Sequence, residues 1–392
     1  MRILFLSYWF PNPPDNGSKL RILGLLRGLA RNHEVTLLSF ADESQIRSES
    51  SEVHALCRVI HLVPRKTYRS GDFRTQLGLF NPTPRYILDT FSTEMANRIT
   101  EILDTQEIDL VIASQLGTAR YRPYFRHLPA LFEEVELGVY YDRFRHEPSH
   151  LSRLRNGLTW MKHRRYVTGL LQEFQACTVV SEQERQLITQ TAPAYHPINV
   201  IPNFINLADY DDVVGAPRQN SLIFTGPFHY YANYDAMVWF LKEVYPIIQA
   251  HIPDVCLTIT GDHANLPLPP ANNVRLTGFV EDVRPLVASS WVSLVPLRVG
   301  GGSRLKILEA MALGVPVVAT SKGAEGLDLT DGLHLLLGDT AIAFADRVIR
   351  ILNDSQARQE LVKHARQRVE EIYEWGIVMP RFESLVQSTG NI

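Results

Sequence analysis

Apolar positions along the chain fall into short runs separated by stretches of helical spacing. Ile3 to Ser7 is one such run. From Ser18 to Asn32, Ile22, Leu25, Leu26 and Leu29 recur every three or four residues, and a second run extends from Val35 to Phe40. The pattern predicts a strand, a helix and a second strand. It recurs, with strands expected near Val59 to Val63, Leu110 to Ala113, Leu131 to Phe132, Thr178 to Val180 and Val200 to Ile201, and helical segments between several of them. Such alternation predicts a parallel sheet covered on both faces, because parallel neighbours need long crossover connections.

Residues 207–220 (LADYDDVVGAPRQN) break the pattern: they are polar, contain Gly and Pro, and read as an interdomain linker. A second alternating series follows. Its strands are expected at Leu222 to Phe224, Cys256 to Ile259, Val274 to Leu276, Val292 to Val295, Val315 to Ala319 and His334 to Leu337. Its helices are expected at Tyr234 to Ala250, Ser303 to Leu313, Ala341 to Leu352 and Gln356 to Tyr373, with a last one at Pro380 to Val386. The fold class expected is therefore α/β, with two doubly wound, Rossmann-like domains over 1–206 and 221–375, and 376–392 returning as a C-terminal helix to the first domain. Ligands of open α/β sheets bind beyond the carboxyl ends of the strands, so two facing domains of this kind imply a site in the cleft between them.

Composition narrows the function classes. Of 392 residues, 39 are Lys or Arg and 42 Asp or Glu, a net charge of -3 that gives no global reason to expect nucleic acid as a partner. Cys57, Cys177 and Cys256 are widely spaced and form no C-x-x-C pair, which argues against a disulfide framework or structural zinc and suits a reducing cytoplasm. No apolar run approaches the ~18 residues of a membrane span. The prolines that cut off MRILFLSYWFPNPP make it a first buried strand rather than a secretory signal.

The chemistry concentrates in PLRVGGGSRLKILEAMALGVPVVAT, Pro296 to Thr320. Gly300, Gly301 and Gly302 let backbone amides approach a ligand, Ser303 suits an N-cap, and Arg304 and Lys306 fall in the expected first helical turn. Cations there oppose the helix dipole unless an anion sits at that end, which is a natural phosphate site. Glu309 follows Lys306 by three residues, about 4.5 Å along the axis, where its carboxylate is placed to bind sugar hydroxyls. The plainer alternative is a Gly-rich turn feeding an amphipathic helix, with Lys306 and Glu309 as a solvated pair.

Gly302, Lys306, Glu309, Ala310, Met311, Ala312, Gly314, Pro316, Val317 and Val318 form a series that resembles the donor-site signature of retaining glycosyltransferases of the GT-B fold, family 4 type, in a bacterial exopolysaccharide-like subgroup. RNHEVTLLSF, VVSEQERQLI, VIPNFINLADY and TGFVEDVRPLVASSWVSLVPL extend the resemblance over nearly the whole chain. It implies transfer of a sugar from a nucleotide-diphosphate donor, UDP or GDP, to a hydroxyl of a glycan or glycolipid, with retention, without a cofactor or metal. Glu309 would bind the ribose. Lys306, Gly301, Gly302 and Ser303 would hold the diphosphate, with Lys306 and Arg304 as catalytic cations. Backbone groups at Phe279 and Val280 would face the base, Gly226 and His229 would border the donor, and Gly17 would approach it from the other domain.

The chain also departs from that pattern. Gly301 occupies the place of the family's first Glu. Pro227, Phe228 and His229 stand where Arg and Lys are common, with Asn233 near the usual Lys, so Arg304, Arg298 or His229 would have to compensate. Gln115 replaces the His often found after a central strand. These changes keep open a GT-B sugar-nucleotide epimerase or a silent nucleotide-sugar-binding scaffold as alternatives.

Other polar groups offer binding roles. Gln115, Glu133 and Glu134 are candidates for acceptor hydroxyls, the alternative for the glutamates being a solvated acidic turn. His33, at a helix-to-strand turn, reads as structural, and no histidine shows metal-ligand spacing. Arg153 to Arg165 (RLRNGLTWMKHRR) mixes cations with Leu, Trp and Met, either as a cationic helix packed on the sheet or as a contact with the anionic inner face of the cytoplasmic membrane.

Overall fold

The apolar run that opens the chain becomes the middle strand of a seven-stranded sheet. In this computed structural model, which describes residues 1–42, 45, 51–66, 68, 81–145, 149–302 and 304–391, the chain divides into two units. One is Met1–Pro202 with Met379–Ile392, the other Asn203–Val378. The two parallel-sheet α/β units are those the hydrophobic pattern predicts.

The first unit contains β1 (Arg2–Ser7), β2 (Glu34–Ala41), β3 (Val59–Pro64), β4 (Leu110–Ser114), β5 (Ala130–Glu133), β6 (Ala176–Val179) and β7 (Ile198–Val200). They are all parallel, in the order β3-β2-β1-β4-β5-β6-β7. Ile3 through Leu6 and Leu110 through Ala113 are fully buried, because helices cover both faces of the sheet. After β1, Asn16 caps the helix Gly17–Leu29 by accepting from the Lys19 amide, and Ile22, Leu25, Leu26 and Leu29 bury its inner face.

The second unit contains β8 (Arg218–Thr225), β9 (Cys256–Thr260), β10 (Val274–Gly278), β11 (Ser290–Val295), β12 (Val317–Ala319) and β13 (Leu336–Leu337). Their order is β10-β9-β8-β11-β12-β13, again parallel, around a core that includes Phe224, Leu257, Ile259, Leu294 and Val318. Strand order reverses between β1 and β4 in the first sheet and between β8 and β11 in the second. At such a switch point the chain leaves neighbouring strands in opposite directions and opens a crevice at their carboxyl ends.

Some elements differ from the sequence reading. Residues 207–220 contain the helix Ala208–Asp211 and the start of β8, and bury Leu207 and Tyr210 within the second unit. The helix expected from Tyr234 starts at Tyr231 and passes through a π-helical stretch, Phe240–Val244, before Tyr245–His251. Pro246 lacks an amide to continue the ladder, which favours the wider turn before it. The last helix, Trp375–Gly390, is longer than expected; from Met379 onward it packs within the first unit, where the Met379 side chain fills the space over Gly28. His33 Nε2 lies 2.6 Å from Glu383 in that unit, the structural role its position suggested.

Candidate functional site

The second switch point is where the glycine loop reaches its helix. After β11, Gly300 and Gly302 have φ of +90° and +112°, conformations that suit glycine. Space is short as well: a Cβ on Gly300 would stand 2.3 Å from the Tyr230 hydroxyl, which donates to the Gly301 carbonyl at 2.8 Å. Ser303, the expected N-cap, lies outside the described residues. The helix begins at Leu305 and ends at Ala312.

Arg304 does not sit in the first turn as expected. It is the capping residue, with φ of +51°, and its side chain is buried beneath the loop. Nη1 and Nη2 donate to the carbonyls of Gly301 (3.2 Å) and Gly300 (3.0 Å), and Nη2 lies 3.9 Å from Glu325. The guanidinium engages both carbonyls and so ties the loop to the start of the helix. Arg298, the other arginine named as a substitute cation, pairs with Asp235 at 2.8 Å and stacks over Trp239.

Lys306 is the cation that reaches the switch point. Its Nζ donates to the carbonyl of Thr225, the last residue of β8, at 2.5 Å and to Asn233 Oδ1 at 3.2 Å, and lies 4.6 Å from the Phe224 ring centroid. Burial first, and Arg304 next, pull the ammonium down to about 7. Gly226 makes room for this arrangement. Its φ is +140°, and a Cβ there would lie 2.6 Å from Asn233 Nδ2 and 3.0 Å from Lys306 Nζ. Asn233, itself buried, donates to the Pro227 carbonyl and so orients its oxygen toward the lysine. His229 is exposed at the rim, 2.6 Å from Asp262.

Glu309 lies on the same helix as Lys306. Its Oε1 accepts from the Tyr210 hydroxyl at 3.1 Å, and burial pushes the carboxyl above its ordinary value despite that bond. Arg284 stands near Tyr210, 6.0 Å from the ring centroid, and is ion-paired with Asp282. Phe279, exposed, and Val280, half-buried, follow β10 in the loop that leads to Arg284.

In the first unit, β4 and β5 are followed directly by Gln115 and Glu134, both in left-handed conformations with φ of +68° and +57°. Gln115 Nε2 donates to Glu134 at 2.7 Å and to Ser18 Oγ at 3.2 Å, next to Gly17 at the start of its helix. Burial, then the neighbouring Glu133, raise the Glu134 carboxyl to about 8. Glu133 corrects the sequence reading. It is fully buried, accepts from Arg21 Nε at 2.7 Å and from Ser114 Oγ at 2.6 Å, and has no surface to offer an acceptor. Arg21 Nη1 and Nη2 donate to the Pro202 and Ile201 carbonyls, which extends the buried network.

The sequence reading missed Tyr210, Tyr230 and Arg21. Tyr210 carries a signal in the sequence, as the aromatic residue that ends VIPNFINLADY, whereas Arg21 reads as one more polar position on an amphipathic helix. Among the described residues, no group of three or more His, Cys, Asp or Glu side chains is arranged to hold a metal ion.

Two family models match the chain, one for each unit. Residues 16–209 match a family described as Glycosyltransferase Family 4, and residues 219–354 one described as Glycosyl transferases group 1. An uncharacterized 44.6 kDa protein in the cps region of Klebsiella pneumoniae is 25% identical over 165 residues, which cover 39% of this chain and 42% of that protein. A GDP-mannose-dependent monoacylated alpha-(1-6)-phosphatidylinositol monomannoside mannosyltransferase of Corynebacterium glutamicum is 27% identical over 163 residues, 38% of this chain and 43% of that protein. Both matches thus span less than half of these curated relatives. Among solved structures, sucrose-phosphate synthase from Thermosynechococcus elongatus superposes with a TM-score of 0.69 at 17% identity, covering 99% of each chain. The Anabaena protein HepE in complex with UDP-glucose gives 0.66 at 15%, covering 99% of this chain and 100% of that one. These likenesses show the GT-B fold.

Proposed function

We propose that this chain is a glycosyltransferase of the group 1 type that transfers a hexosyl group from a UDP- or GDP-sugar to a hydroxyl of a glycan or glycolipid, with retention, in polysaccharide or glycoconjugate biosynthesis on the cytoplasmic side of the membrane. The observation that carries this reading is the placement of Lys306 and Glu309 on one helix at the switch point of the second sheet. Lys306, Gly226 and the amides of Gly301 and Gly302 form the phosphate end. Glu309, with Tyr210 behind it, forms the ribose end, and the loop at Phe279 and Val280 faces the base. His229, paired with Asp262, borders the donor at the rim, while Arg298 and Arg304 are committed to Asp235 and the glycine loop.

In the reaction proposed, the acceptor oxygen bonds to the anomeric carbon on the face from which the diphosphate departs. The sugar–phosphate bond breaks, its electron pair leaves with the diphosphate, and the acceptor proton passes to a departing phosphate oxygen. The chain supplies orientation and charge stabilisation. Lys306 enters the empty site partly neutral, and a diphosphate anion restores its proton. Gln115 and Glu134 are the acceptor-side candidates of the first unit.

The names of the relatives suit both nucleotides: the Corynebacterium enzyme is GDP-mannose-dependent and the Anabaena protein is in complex with UDP-glucose. A thermal-shift screen of UDP-, GDP- and ADP-sugars, followed by measurement of nucleotide release with and without glycan acceptors, tests the proposal. Failure of every nucleotide sugar to stabilise the protein would overturn it. A second reading, a silent nucleotide-sugar-binding subunit, is favoured by Gly301 in the place of a carboxylate and by the engagement of Arg298 and Arg304 within the protein. Donor binding without hydrolysis or transfer would decide for it, and a new sugar nucleotide formed without acceptor would indicate an epimerase.

A further inference from the structure

The helix His150–Leu171 carries two opposite apolar faces. Trp160, His163, Val167, Leu170 and Leu171 are buried against the first unit. Leu151, Leu154, Leu158 and Met161 are 83%, 66%, 50% and 56% exposed. At about 100° per residue, these four fall within an arc of about 80° on the side away from the buried face. Isolated exposed leucines are ordinary, but a continuous stripe along three turns is not.

Charge identifies what such a stripe fits. The 22-residue helix holds Arg153, Arg155, Lys162, Arg164 and Arg165 and no Asp or Glu. By the same projection Lys162 and Arg155 border one side of the stripe, about 60° and 80° from its centre, and Arg165 continues it toward the C-terminus. The adjoining helix Gly138–Arg145 ends in Arg143 and Arg145. A second copy of this face would set five cations against five. An acyl layer under phosphate headgroups accommodates both features, taking the Leu and Met side chains while the long cationic side chains reach the phosphates.

We propose that the stripe Leu151, Leu154, Leu158 and Met161 with its flanking arginines docks the first unit on the surface of an anionic lipid membrane, the helix lying in the interface. No described helix is long and apolar enough to cross a membrane, so this is contact from one side. The proposal does not depend on the donor chemistry, because no residue of the stripe belongs to the site described above.

The test uses the full chain with vesicles of phosphatidylcholine and of an equal mixture of phosphatidylcholine and phosphatidylglycerol. Wild-type protein should sediment with the mixed vesicles, far less with the neutral ones, and be released by high salt. Arg155→Gln with Arg165→Gln should weaken partitioning on the order of 30-fold, at roughly fivefold per cation. Leu151→Ser with Leu154→Ser and Leu158→Ser should abolish it while leaving the melting temperature and the nucleotide-sugar thermal shift unchanged. The proposal is overturned if wild type ignores anionic vesicles, if binding is equal on neutral lipid and insensitive to salt, or if the serine variant binds as tightly as wild type. A wild-type dimer in sedimentation, dissolved by the serine variant and indifferent to vesicles, would assign the face to a second copy instead.

Discussion

The Nζ of Lys306 lies 2.5 Å from the carbonyl oxygen of Thr225, across 81 residues of sequence, at the point where the second sheet reverses its strand order. A strand-end carbonyl and one amide oxygen offset the burial of an ammonium only in part, which is why its proton is held loosely, at about 7. Lys306→Met should therefore leave the empty protein's melting temperature unchanged or higher, while sugar transfer falls on the order of 100-fold. The pH dependence has a definite sign. Between about 7 and the ordinary 10.5 the unfolded chain binds the proton that the folded chain has lost, so wild-type stability declines as pH falls through that window. The variant should lose this slope; denaturant midpoints measured across the window check it, and normal transfer by Lys306→Met would remove the lysine from the site.

Glu309 and Tyr210 should separate a direct contact from a supporting one. Glu309→Gln keeps the shape but loses a charged acceptor, and should weaken donor binding by about 1.5–3 kcal/mol. Tyr210→Phe removes only the hydroxyl that orients Glu309, and should weaken binding by about 0.5–1.5 kcal/mol. Titration calorimetry with the cognate nucleotide sugar measures both. Equal affinity in Glu309→Gln and wild type would displace the ribose from this residue.

The two sheets were legible because parallel strands buried on both faces must be written as continuous apolar runs, as Ile3 to Leu6 and Leu222 to Phe224 are. Lys306 and Glu309 were legible because one helix carries both. Their partners were not. Thr225, Asn233 and Tyr210 come from other elements, and a buried acceptor such as Thr225 contributes only its backbone, which has no letter in the sequence. Arg304 was misplaced for a related reason: its left-handed conformation is a property of the glycine loop's path. Glu133 and Glu134, adjacent in sequence, face different surroundings because β5 ends between them, and only the strand boundary tells the buried partner of Arg21 from the partner of Gln115.

The contrast between those glutamates is measurable. Arg21 and Glu133 are 1% and 0% exposed, so removing either leaves a buried charge without its partner. Glu133→Ala or Arg21→Met should each cost about 3–5 kcal/mol of stability. Chemical denaturation monitored on the first unit's aromatic residues reads the loss, and a cost within experimental error would mean that the network opens to water.

Transfer should survive EDTA, because in the proposed site the diphosphate charge is met by Lys306 and the amides of the glycine loop. Rates measured before and after chelation, with magnesium and manganese added back, are the check. Activity that disappears with chelator and returns with either ion would mean that a metal carries part of that charge.

Glu134 yields a prediction opposite in sign to that for Lys306. Burial and the neighbouring Glu133 raise its carboxyl from 4.5 to about 8, so between those values the folded chain holds a proton that the unfolded chain has released. The stability linked to that proton is complete below about 4.5 and is lost as pH rises through 8. Glu134→Gln mimics the protonated form and cannot lose it. The variant should therefore gain on wild type steadily from pH 5 to pH 8, seen as a rising difference in melting temperature. If Glu134 also binds an acceptor hydroxyl, the acceptor KM should rise in the variant while the thermal shift from the nucleotide sugar stays the same. A melting-temperature difference that does not change with pH would place the Glu134 carboxylate in water, and with it would go the acceptor-side role assigned to Gln115 and Glu134.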